Sequence, residues 1–181
     1  QREGFTVTIA LAAACWSAGV ALWAAGLPVP TVVPWWLAFL VLTIAGERLE
    51  LSRFMPPSAR ARQLFGVLVV LIVVTIALSV RWPAALHGFG AGLLGLAGWL
   101  WRHDIARRTV RQRGLTRFIA VCLLSGYFWL ALGAGVWLAA GELAPGTPSY
   151  DATLHAILLG FVFSMVFGHA AIIFPAVLPV K

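Results

Sequence analysis

Six apolar runs of about 17–25 residues follow one another along this chain, separated by short polar or proline-bearing joints. A helix rises about 1.5 Å per residue, so each run is long enough to cross a hydrocarbon core of about 30 Å. We place the spans near Phe5–Leu27, Val32–Phe54, Gln63–Val80, Ala84–Trp101, Thr116–Ala140 and Asp151–Val177. LPVP, MPPSARAR and ELAPGTPSYD mark joints through their prolines, glycines and short polar residues. The third run, LFGVLVVLIVVTIALSV, is apolar all round and rich in β-branched residues, yet its length and setting favour a lipid-facing helix over a strand. Hydrophobic residues make up 61% and charged residues 10% of the chain, against about 25% charged in a soluble domain. The predicted fold is all-α, a polytopic membrane bundle of about six helices. No repeat of 20–50 residues breaks residues 1–181 into parts, so a single membrane domain is expected, within a larger chain or assembly. No signal-peptide pattern is visible in the sequence, and Gln1 and Lys181 leave open a processed or partial chain.

Charge sets the expected orientation. The net charge of +7 is almost wholly arginine, because Lys181 is the only lysine. Arg48, Arg53, Arg60 and Arg62 surround the second joint, and Arg102, Arg107, Arg108, Arg111, Arg113 and Arg117 surround the fourth. The opposite side has Arg81 with Glu142 and Asp151. The positive-inside rule then predicts both termini in the cytoplasm of a bacterium, with the protein in the inner membrane. Trp35 and Trp36 at one boundary, and Trp99 and Trp101 at the other, read as interfacial anchors. The basic joints are read as contacts for anionic lipid headgroups and not for nucleic acid. Cys15 and Cys122 are predicted as buried thiols, since no CxxC pair or disulfide framework is present. Phosphate loops, Gly-x-Ser-x-Gly elbows and HExxH motifs are absent, which leaves no sign of a soluble catalytic domain.

Histidine within a bilayer is costly and marks candidate sites. His155 and His169 lie fourteen residues apart in HAILLGFVFSMVFGH. On an ideal helix they return to within roughly 40° of one face, about 21 Å apart along the axis. Val162 and Val166 fall on that face, whereas Gly160, Ser164 and Gly168 form an opposite small-residue stripe for helix packing. His87, at the start of span four, is the expected partner of His155 in a haem or metal site near the outer side. Ala91, Leu94 and Gly98 would leave a smooth face beneath it. His103, sixteen residues after His87, points about 160° away and is read as solvated or paired with Asp104. A second constellation, AGERLELSRF, places Glu47 and Arg48 inside the hydrocarbon zone, with Glu50 and Arg53 able to meet at i,i+3. Its functional reading is a proton relay or ion-pair site, and its structural reading is a snorkelling network that pins the helix.

The stretches GYFWLALGAGVWLAAG and DATLHAILLGFVFSMVFGHAAIIFPAVL resemble the NnrS family, membrane proteins associated with haem and copper in bacterial nitric oxide stress. The similarity lies in a Tyr-x-Trp-Leu helix followed by one with a His-Ala-x-x-x-Gly start and a later Gly-His. It implies haem b or copper as cofactor and His155 and His169 as ligand positions. The function expected from it is a haem- or copper-binding membrane protein of redox or nitrogen-oxide metabolism. Two other readings stand beside it. One is a non-catalytic subunit or scaffold of a respiratory or photosynthetic complex, with other membrane subunits as partners. The other is a small transporter coupled through Glu47, for which no inverted repeat is visible.

Overall fold

The computed structural model describes residues 2–52, 56–140 and 144–177. Helices α1 (Arg2–Ala24), α2 (Val29–Leu51), α3 (Ala59–Ser79) and α4 (Leu86–His103) come first, α4 being led in by a 3₁₀ turn at Pro83–Ala85. A short α5 (Ala106–Thr109) then precedes α6 (Leu115–Ala140). The last rod is made of α7 (Pro148–His155), a π-helical segment (Ala156–Val162) and α8 (Phe163–Val177). Among the described residues, six stretches are long and apolar enough to span a membrane, the final one running through the π segment from Pro148 to Phe174. The protein is a multi-pass membrane helix bundle.

Local chemistry sets the helix boundaries. The second span begins at Val29 and not Val32, because Pro30 is accommodated in a first turn whose N–H groups have no partner in any case. Gly26, at φ 94°, supplies the left-handed residue that ends α1. Ser58 caps α3 by accepting from the Ala61 N–H at 3.2 Å, and Thr147 caps α7 by accepting from the Tyr150 N–H at 3.3 Å.

Packing follows small residues. Helix α1 lies along α2, α3 along α4, and α6 is the central post between α4 and the final rod. Side chains of Thr75, Ile72 and Leu68 on α3 fill the space over Gly88, Gly92 and Gly95 of α4. The predicted stripe on the last rod packs against α6: Gly160 lies under Trp129, Ser164 beside Gly126, and Gly168 beside Cys122. Leu42, Ile72, Leu93, Leu130 and Phe161 fill the interior, while Val67, Val70 and Val74 of α3 face outward. The third span thus presents one face to lipid and buries the other. Trp99 departs from its expected role as an interfacial anchor. It is 4% exposed, and its indole donates to the Ala61 carbonyl at 2.7 Å, where the first turn of α3 meets α4.

Candidate functional site

The π segment sorts the histidines. A π turn takes about one residue more than an α turn, which delays the phase of everything beyond it by about 100°. His155 and His169 are therefore separated by about 140°, not the 40° of an uninterrupted helix. Their surroundings agree. His155 shares a groove with Gly160 and Ser164 and with Trp129, Leu132 and Val136 of α6. His169 shares another with Val162 and Val166 and with Leu40 and Thr43 of α2. The single two-histidine face is thus replaced by two separate environments.

His155 is exposed, and its Nδ1 donates to the Asp151 carbonyl at 2.7 Å, which leaves Nε2 as the nitrogen with a free lone pair. The groove beside it has a volume of about 510 Å³ and is almost wholly apolar. His87 is not among the residues lining that groove. It is exposed with its Nδ1 on the Ala84 carbonyl at 3.1 Å, and Ala91, Leu94 and Gly98 on its face are exposed with it. That face looks away from the bundle because Gly88, Gly92 and Gly95 turn the other side of α4 onto α3. His103 stacks on Trp99 at 4.8 Å and its Nδ1 donates to the Trp99 carbonyl at 3.0 Å, while Asp104 accepts from Tyr127 and the Ala106 N–H.

His169 lies at the arginine-rich end of the bundle among charges. Its Nδ1 donates to the Met165 carbonyl at 2.8 Å, and its Nε2 accepts from Arg48 Nη2 at 3.3 Å. This pair of bonds suits the neutral ring protonated at Nδ1. Glu47 Oε2 stands 3.7 Å from the same Nε2. Arg48, 8% exposed, reaches Asp104 Oδ2 with Nη1 at 4.0 Å. Asp104 in turn accepts from the Tyr127 hydroxyl at 2.7 Å and from the Ala106 N–H at the start of α5 at 2.7 Å. Four polar side chains from α2, the α4–α5 junction, α6 and α8 so form one connected chain, with Glu47 beside it. Burying Arg48 is tolerable because Asp104 and His169 share its charge and donors, although its Nε has no hydrogen-bond partner.

The expected intramembrane charge site is therefore partly reorganised. Glu47 and Arg48, adjacent in sequence, both meet His169 across the α2–α8 contact. Arg53 lies outside the described residues, and with it the expected pairing to Glu50. Asp104 and Tyr127 are the members that sequence reasoning missed. A tyrosine in the middle of an apolar span needs a partner for its hydroxyl, and that was the available signal.

Two cavities adjoin the chain of polar groups. On one side Asp104 lines a polar basin of about 480 Å³ with Arg102, His103, Arg107, Arg108 and Arg111. On the other, Glu47 and His169 close an apolar groove of about 520 Å³ between α2 and α8. No group of three or more His, Cys, Asp or Glu placed to hold a metal ion occurs among the described residues.

The fold and this cluster define a polytopic α-helical membrane protein with a charged site inside its bundle. The chain belongs to the family described as Domain of unknown function (DUF8744), which matches residues 1–181. No curated protein and no solved structure matches it.

Proposed function

We propose that this protein is a haem-binding redox protein of the bacterial inner membrane, acting in nitrogen-oxide metabolism, with His155 as the iron ligand. The observation that carries this reading is the His155 imidazole. Its Nδ1 is bonded to the Asp151 carbonyl, which leaves the Nε2 lone pair, and the residue lines an apolar groove of about 510 Å³. A backbone acceptor on Nδ1 fixes the tautomer of a ligating histidine and raises the basicity of the other nitrogen. The groove lies within the 300–1,000 Å³ or so usual for bound cofactors. One strong nitrogen against apolar walls meets the needs of haem, whereas copper needs further donors close by. Haem bound there would supply a one-electron centre and a coordination position for a small ligand. His155 would hold the iron, Trp129, Leu132 and Val136 would exclude water, and Asp151 would orient the ring through its carbonyl. His169 is not assigned to iron in this reading, because Nε2 already faces the Arg48 guanidinium. The arginine asymmetry favours the cytoplasm for the arginine-rich end, which puts His155 towards the outer face.

Haem extraction as the pyridine adduct, with copper analysis on the same purified sample, tests the proposal. About one haem per chain is the expected result. Protein free of haem, from cells supplied with iron and a haem precursor, would overturn it.

A further inference from the structure

We propose that the groove between α2 and α8 binds a hydroquinone-type lipid, its ring hydroxyl donating to Glu47 and its tail lying along the apolar wall. The groove has a volume of about 520 Å³, and its walls are apolar except where Glu47, His169 and Thr43 contribute. Phe39 and Phe174 line it and offer flat surfaces to a ring.

Charge selects the occupant. The Glu47 side chain is 46% exposed on this wall, and a carboxylate facing hydrocarbon gains from any donor that reaches it. His169 is a poor donor to it, because Nδ1 is spent on Met165 and Nε2 accepts from Arg48. A hydroquinone O–H fits that demand. The oxidised quinone, which carries only carbonyl acceptors, does not. An ordinary phospholipid has its donors in the headgroup, whereas Glu47 lies a full turn inward of the α2 end at Leu51. A neutral ring that dissolves in the hydrocarbon reaches Glu47 without drawing a charged headgroup below the interface. The proposal is independent of haem, since the groove shares no residue with the one at His155.

Purified protein in detergent, titrated with a decyl-substituted hydroquinone and separately with its quinone, provides the test. Quenching of tryptophan fluorescence and calorimetry would follow binding. The hydroquinone should bind saturably and at least about tenfold more tightly than the quinone, the difference expected for one hydrogen bond to a charged acceptor. Glu47→Gln should remove most of that preference, and Ile173→Trp, which narrows the groove without touching the carboxylate, should weaken both ligands. His155→Ala should leave both affinities unchanged. Equal affinity for the two oxidation states, a preference that survives Glu47→Gln, or displacement of the hydroquinone by phosphatidylethanolamine at similar concentration would overturn the proposal. So would a stable dimer whose interface covers the groove and excludes the probe.

Discussion

A single buried carboxylate organises the arginine-rich end of the bundle. Asp104 accepts from Tyr127 and from the Ala106 N–H, and it faces Arg48 at 4.0 Å. Tyr127→Phe removes one hydrogen bond to a charged acceptor and should lower stability by about 1–3 kcal/mol. Asp104→Ala should cost more, about 3–5 kcal/mol, because it leaves the Arg48 charge buried without its carboxylate. Thermal unfolding in detergent would measure both, and midpoints equal to wild type would contradict the cluster. The sequence displayed Glu47 and Arg48 plainly, since charges within an apolar run stand out. It hid Asp104, which sits in a polar RHD string that reads as a solvated boundary. His169 had a position but no partner until α2 and α8 were brought together, a long-range contact that no local pattern encodes.

At the scale of elements, the six helices were legible because bilayer thickness and hydrophobic length leave few alternatives. The rotation of the last one was not. Nothing in AILLGFV distinguishes a π turn from an α turn, and the helical wheel drawn through it put His155 and His169 on a common face. The packing against α6 supplies a physical account of the bulge. Trp129 rests on Gly160, where an added Cβ would lie 2.6 Å from the Trp129 Cβ, and Ile157 rests on Gly133. The extra residue lets the rod keep both contacts while turning His169 towards α2. Gly160→Leu should therefore push α6 and the rod apart and destabilise the protein by about 1–3 kcal/mol, again read by thermal unfolding. Deleting Leu158 should restore an α-helical phase and rotate Pro148–His155 by about 100° relative to α8. A cysteine placed at Ala152, now exposed, should then move to the buried position held by Thr153 and lose its reactivity towards a maleimide. Retained reactivity would argue against the π segment as the element that sets the histidine phase.

The whole molecule has a basic end and a nearly uncharged end, joined by helices with apolar outer faces. The two ends of the arginine distribution predict topology directly. A reporter active only outside the cytoplasm should work when fused at Gly146 and fail when fused at Arg111, and the reverse pattern would invert the orientation. The same asymmetry separates two tasks in the account: His155 near the uncharged end for iron, Glu47 and His169 near the basic end for a donor head. The sequence put His155 and His169 on one helix face about 21 Å apart, and the π segment turns them to different faces. The most direct measurement is the visible absorption spectrum of the purified protein and of two variants, His155→Ala and His169→Ala, prepared alike. The account predicts a Soret band in wild type, retained in His169→Ala and lost in His155→Ala at equal yield of folded protein. A band that survives His155→Ala, or no band in any of the three, would contradict it.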